Sequence, residues 1–175
     1  LDLLDEAGLL GPNTLLVHAN LPGPRDPERI RRARATVVHC PGSHRWFRRA
    51  PFDLQGWLDR GVPVALGTDS SASNAALDMR RELALASQAA PALDPSILLD
   101  CGTRVGAEAL GFGRSTGRLE EGRRLDAYLT VERVRSRRAA CELVVQGRPA
   151  LVGVLVDGAL EWDDESQGLA GILRS

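Results

Sequence analysis

Three ionisable residues close three short apolar runs. His18 follows Thr14-Leu-Leu-Val, His39 follows Ala35-Thr-Val-Val, and Asp69 follows Val62-Pro-Val-Ala-Leu-Gly-Thr. Two imidazoles and a carboxylate are the raw material of a zinc site or of a general acid–base site, because imidazole ligates metal or carries protons near neutral pH and a carboxylate is both anionic ligand and proton acceptor. Each is equally readable as a hydrogen-bonded structural residue ending a strand. Ser43, His44, Arg45 and Ser70 follow two of these runs and offer further polar groups. Cys40 has no base in a fixed relation to it and reads as packing.

The elements that must position these groups repeat one unit. The run ending at His18 is followed by Asp26-Pro-Glu-Arg-Ile-Arg-Arg-Ala-Arg34, a helix with Asp26 as N-cap and Pro27 in its first turn. The run ending at His39 is followed by a helical pattern, Phe52 to Arg60, stopped by Gly61. Beyond Asp69 the spacing predicts an amphipathic helix over Ala75 to Ala90, with Asn74 readable as its N-cap or as a site residue. Strands alternating with helices imply right-handed crossovers and a parallel sheet. Runs as continuously apolar as Val62 to Gly67 suit a sheet covered on both faces. Intervals of 21 residues from His18 to His39 and 30 from His39 to Asp69 fit one βα unit each, so the three groups are expected side by side at the C-terminal strand ends, where such folds gather their catalytic residues.

After residue 91 the pattern changes. Pro95 to Leu110 reads as one helix stopped by Gly111. From Gly117 the chain turns to short β segments: Ala127–Val131, Cys141–Gln146, Val152–Val156 and Ala159–Trp162. Arg133 to Arg138 carries four arginines and reads as a solvated loop.

The 175 residues are 43% hydrophobic and 26% charged, enough for a buried core. With 22 basic against 23 acidic residues the net charge is −1, which argues against nucleic acid or an anionic membrane surface as partner. Every basic residue among the 22 is arginine, which reads as codon bias rather than function. Three scattered cysteines make neither a disulfide framework nor a CxxC zinc motif, and no apolar run approaches a membrane span. A cytoplasmic protein with a small-molecule substrate is the expectation, and a homo-oligomer is compatible with it.

Residue identity adds to spacing. His39-Cys-Pro-Gly-Ser43, Gly61-Val-Pro-Val-Ala-Leu-Gly-Thr-Asp-Ser-Ser-Ala-Ser-Asn74, Leu77-Asp-Met79 and Glu82 resemble the C-terminal half of the amidohydrolase superfamily. The branch most similar is that of the cytosine, S-adenosylhomocysteine and aminodeoxyfutalosine deaminases and the chlorohydrolases. Thr103 to Gly111, and Gly117-Arg-Leu-Glu-Glu-Gly122 leading to Asp126, resemble that family's passage from its last barrel helix into a β-sandwich. Ser43-His44-Arg45 with Trp46-Phe47 looks most like the aminodeoxyfutalosine-deaminase-like members. The resemblance implies an α/β chain forming strands six to eight of a (β/α)8 TIM barrel (residues 1–113) and then short strands of the flanking β-sandwich with a C-terminal tail (residues 114–175). It implies one catalytic divalent metal, usually zinc and in some relatives iron. Asp69 would be a metal ligand that also takes a proton from the bound water, and His18 would hydrogen-bond the reacting centre. His39, Ser43, His44, Arg45 and Ser70 would be substrate-facing.

The same resemblance implies an H-x-H pair, a further ligand histidine and a glutamate base on earlier strands, none of which is in this sequence, whose histidines are 18, 39 and 44. A whole barrel takes about 250 residues. The expectation is therefore a piece of a metal-dependent hydrolase of non-peptide C–N bonds, most simply a deaminase of an amino-heterocycle or nucleoside-like compound. Alone it would be inactive and prone to aggregate, with the N-terminal half of the barrel as its missing partner. The alternatives are a half-barrel completed by a separately encoded N-terminal half, and a non-catalytic α/β structural module.

Overall fold

A computed structural model describes residues 1–163. Helix α1 (Asp2–Glu6) leads into strand β1 (Leu15–Val17), helix α2 (Asp26–Ala33), strand β2 (Thr36–His39), helices α3 (Pro41–Trp46) and α4 (Leu54–Asp59), and strand β3 (Val64–Leu66). The three strands form a parallel sheet in the order β1-β2-β3, with Leu16 opposite Val37 and Val38 opposite Ala65. The βα repeat legible in the sequence is thus built, with the central strand nearly all buried and every residue of β3 buried. Strand β1 differs: Leu16 packs inward while Leu15 and Val17 are 37% and 51% exposed.

Local chemistry explains the helices that cover this sheet. Asp53 caps α4 by accepting the Gly56 N–H at 2.9 Å. In α2, Asp26 and Glu28 occupy the first turn and Arg31 and Arg32 the last, matching the helix dipole. Asp26 is not the N-cap expected of it: it is the first helical residue, and its carboxylate accepts the Gly23 N–H upstream.

Three further helices, α5 (Met79–Ala89), α6 (Pro95–Gly102) and α7 (Arg104–Ala109), pack on β3. Two expectations are corrected here. Helix α5 begins at Met79, capped by Asp78 accepting the Arg80 N–H, because the Asn74 side chain is buried and otherwise engaged. The predicted helix over Pro95–Leu110 is two, broken at Thr103, whose backbone leaves the helical region (φ −131°, ψ −87°).

The remainder is a second, antiparallel sheet of β4 (Ala127–Thr130), β5 (Leu151–Val156) and β6 (Ala159–Asp163), with helix α8 (Arg137–Val145) between β4 and β5. The β segment predicted at Cys141–Gln146 is this helix. Ser136 caps it by accepting the Ala139 N–H, and Cys141 and Val145, one turn apart, are buried against α5 and α6. That helical spacing overrides the strand preference of Leu-Val-Val. The arginine-rich run before it is exposed, as expected of a solvated loop. Residues 164–175 of the predicted tail lie outside the described residues. No helix among the described residues is long and apolar enough to cross a membrane.

Candidate functional site

His18 and Asp69 sit just past the C-terminal ends of β1 and β3, the two edge strands of the parallel sheet. They approach across the end of β2, with Nε2 of His18 3.6 Å from Oδ2 of Asp69. Both backbones are left-handed, φ 73° at His18 and 58° at Asp69. Around His18 the Ala19 N–H reaches back to the Val17 carbonyl, the two-residue closure of a strained γ-turn. Such a conformation costs about 1–3 kcal/mol in a non-glycine residue and persists where surroundings over-determine it, as at functional sites.

Two hydroxyls hold the carboxylate. Ser43, buried at the start of α3, donates to Asp69 Oδ2 at 2.6 Å, and Ser73 donates to the same oxygen at 2.9 Å. The Ser43 hydroxyl first, and Ser73 after it, keep the Asp69 carboxyl below the usual carboxylate range, so it is anionic at neutral pH. An anionic oxygen, partly open to solvent and beside an imidazole, can take a cation or a proton.

His39, between them at the end of β2, is buried, stacked on Phe52 at 4.0 Å and set edge-on to His44 at 5.3 Å. Burial, with His44 and His18 adding to it, drives its pKa down to about 3, so it is neutral. Its Nδ1 and the Oδ1 of Asn20 are buried without hydrogen-bond partners among the described residues. His39 ends β2 and Asn20 lies just beyond β1, so both orphans sit at neighbouring strand ends, where a bound molecule or water could satisfy them. His44 is tied through Nε2 to the Ala50 carbonyl of its own loop. Trp46 and Phe47 are exposed, with Arg49 over the Phe47 ring. Ser70 turns back on Ser73 through hydroxyl and carbonyl. The geometry therefore gathers His18, Ser43 and Asp69, sets His39 beside them, and leaves His44, Arg45 and Ser70 engaged elsewhere or exposed. Cys40 is buried and its thiol pushed up to about 11, by burial and then by the Asp69 and Glu82 charges, which fits the packing role.

Residues 1–160 match the Amidohydrolase family. The chain belongs to that family. It is 40% identical over 108 residues to the aminodeoxyfutalosine deaminase of Deinococcus radiodurans, covering 62% of this chain and 26% of that protein. To the 5-methylthioadenosine/S-adenosylhomocysteine deaminase of Pyrococcus furiosus it is 42% identical over 127 residues, 69% of this chain and 30% of that protein. Among solved structures it superposes on a zinc-bound adenosine deaminase from Xanthomonas campestris with a TM-score of 0.80 at 24% identity, over 99% of this chain and 44% of that one. The chain thus spans about a third or less of the curated relatives it matches. The α/β fold is that of amidohydrolase structures, present here as two partial sheets.

Among the described residues no three His, Cys, Asp or Glu side chains cluster to hold a metal ion. A catalytic zinc takes three protein ligands, so these residues fit one position of such a site, at Asp69, and not a whole one. Two contributors escape sequence reasoning, and for Asn74, readable as cap or as site residue, the structure shows it is not the cap. Ser73 looks like one more small loop residue. Glu82 sits in a recognisable run, but nothing in the run says that it is entirely buried; an acidic residue one turn into an amphipathic helix normally faces water.

Proposed function

We propose that this chain is the C-terminal part of a metal-dependent deaminase of the amidohydrolase family, with residues 1–113 forming strands six to eight of a (β/α)8 barrel and residues 114–175 the flanking β-sandwich strands and tail. The observation that carries this reading is the meeting of Asp69 and His18 at the ends of parallel strands, both in left-handed backbone. The half-exposed apolar face of β1 fits a barrel whose earlier strands complete the sheet. When bound, a divalent metal, zinc as in the Xanthomonas relative, supplies a water made acidic enough to ionise near neutral pH.

The chain's own residues divide the remaining work. Asp69 would be one metal ligand and accept the proton of the attacking water, its carboxylate kept anionic by Ser43 and Ser73. His18 would donate a hydrogen bond from Nε2 to the charge that develops on the attacked centre. Water adds to the ring carbon, the C–N bond breaks, and the amino group leaves as ammonia with the transferred proton. His39, as a neutral hydrogen-bonding ring, and Ser43 flank the approach, whereas His44, Arg45 and Ser70, expected to face substrate, are turned to other partners or to solvent. The substrate class is a nucleoside-like amino-heterocycle, the kind named by the Deinococcus and Pyrococcus relatives. The same reading makes the enzyme cytoplasmic.

The test uses the complete enzyme, with ammonia release from 5-methylthioadenosine, S-adenosylhomocysteine and aminodeoxyfutalosine as the assay. Asp69→Asn abolishes turnover and weakens metal retention; His18→Asn abolishes turnover and keeps the metal. Full activity in Asp69→Asn overturns the assignment.

A further inference from the structure

The start of α3, which carries Ser43, and the loop that carries Asp69 are fastened to each other from behind through a carboxylate outside the site. Glu82, on α5, is 0% exposed. Its Oε2 accepts the Gly42 backbone N–H at 2.6 Å, and its Oε1 accepts Nδ2 of Asn74 at 2.8 Å. The other hydrogen of that amide goes to the Thr68 carbonyl at 2.7 Å, and the Asn74 Oδ1 accepts from Nη1 of Arg81 at 2.6 Å. Because both partners of Nδ2 are acceptors and the partner of Oδ1 is a donor, the amide has one orientation. Arg81 also lies 3.8 Å from Oε1 of Glu82 and is the cation that faces the buried charge.

Gly42 and Thr68 are the chain neighbours of Ser43 and Asp69. The hydrogen-bonded pair Glu82 and Asn74 thus holds, through Glu82, the residue before the donor and, through Asn74, the residue before the acceptor of the 2.6 Å bond between Ser43 and Asp69. Packing is tight: a Cβ added at Gly42 would overlap the Asn74 amide and Glu82 Oε1, much closer than real Cβ atoms come, so any larger residue there must push those two side chains out of their hydrogen bonds. An acidic residue is rarely buried completely unless paired, and a satisfied polar network of this kind fixes one geometry among several that apolar packing would allow.

We propose that Glu82, acting through Asn74, is a positioning residue for Asp69: it sets the ends of β2 and β3 at the separation that lets Ser43 aim the Asp69 carboxylate. This rests on the reading of Asp69 as the functional carboxylate. The inference is that Glu82→Gln breaks the device while nearly keeping side-chain volume, because the new amide must turn its NH2 toward either the Gly42 N–H or the Asn74 NH2, donor against donor.

In the complete enzyme, Glu82→Gln lowers kcat by roughly 10- to 100-fold, the order that a small misplacement of a reacting group costs, and leaves KM little changed. Amide hydrogen exchange speeds by about tenfold or more at Gly42–Ser43 and Thr68–Asp69, with the His18 segment and β4–β6 as in the wild type. Arg81→Ala, at a side chain 35% exposed, produces the same pattern more weakly and serves if Glu82→Gln does not fold. Exchange that is unchanged at those two segments, or faster evenly through both sheets, overturns the proposal. So does an unchanged kcat in Glu82→Gln where Asp69→Asn is dead, an outcome that leaves the deaminase reading intact. If the wild type releases no ammonia, the deaminase reading falls and the exchange pattern alone decides the positioning role.

Discussion

The two sheets each carry an aspartate with two short hydrogen bonds, and only Asp69 of the two stands beside an imidazole. Asp69, beyond β3, accepts from the hydroxyls of Ser43 and Ser73 at 2.6 and 2.9 Å. Asp126, just before β4, accepts the Asp157 N–H at 2.8 Å and the Thr116 hydroxyl at 2.9 Å. Both carboxyls lie below the usual carboxylate range, Asp69 chiefly through Ser43 and Asp126 chiefly through the Asp157 N–H. What separates them is the origin of the neighbours. Asp126 closes its own sheet, gripping the tight turn at Asp157 and Gly158, both with positive φ, that joins β5 to β6. Asp69 receives Ser43 from the helix after β2 and Ser73 from its own loop, faces His18 beyond β1, and stands in left-handed backbone. A depressed carboxyl marks good hydrogen bonding; the imidazole 3.6 Å away is what Asp69 has and Asp126 lacks.

The comparison predicts unequal consequences of equal deletions. Ser43→Ala removes the shortest donor to Asp69 and should lower kcat/KM of the complete enzyme roughly tenfold, the scale of a hydrogen bond to a charged acceptor. Thr116→Ala removes the matching donor to Asp126 and should leave kcat/KM unchanged. Steady-state ammonia release from both variants checks this, and equal losses would erase the distinction drawn between the aspartates.

The same contrast governs what was legible in the sequence. The parallel sheet reads directly because β2 and β3 are continuous apolar runs bounded by turn residues, and the ionisable His39 and Asp69 at their ends stand out against them. His18, Asp69 and the strand order follow from that pattern and from the family resemblance. The brace under the site does not, because Gly42 and Glu82 are 40 residues apart and no local period relates them. Helix α8 is misread because its C-terminal Leu-Val-Val is strand-like, while the Ser136 cap, the Arg-Arg-Ala-Ala start and burial of Cys141 and Val145 against α5 and α6 set the helix. Asn74 is polar before a helix, which is what a cap looks like, yet the position of Asp78 and the buried carboxylate decide its role.

His39 lets the pH dependence of the first sheet be worked out. Its native pKa is near 3 against an ordinary 6.5, mainly through burial. Between those values the unfolded chain binds a proton that the native ring refuses, so stability rises with pH across the window and is lost as pH falls from 6.5 toward 3. His39→Phe keeps the stack on Phe52 and cannot titrate. Its apparent melting temperature should fall less steeply than the wild type's on acidification through that window. Parallel curves for the two proteins would show that the ring is not kept neutral by its surroundings.

The smallest effect belongs to Asp126, and it sharpens the contrast by its silence in catalysis. Its native carboxyl is depressed, so its stabilising bonds are fully present above the ordinary carboxylate pKa and are lost as pH falls through the native value. Asp126→Ala leaves the Asp157 N–H and the Thr116 hydroxyl without their acceptor, but both are exposed enough for water to replace it. The melting temperature at neutral pH should therefore drop by only a few degrees, and this gap to the wild type should close in acid, where the wild-type carboxylate is protonated too. Turnover per folded enzyme should not change, because the Asp126 hydrogen bonds stay within the second sheet and its flank while the proposed reacting groups, His18 and Asp69, follow strands of the first. A loss of turnover in Asp126→Ala at a temperature where the protein is fully folded would mean that the second sheet helps to shape the site, and that the separation between the two regions is one of sequence rather than of energy.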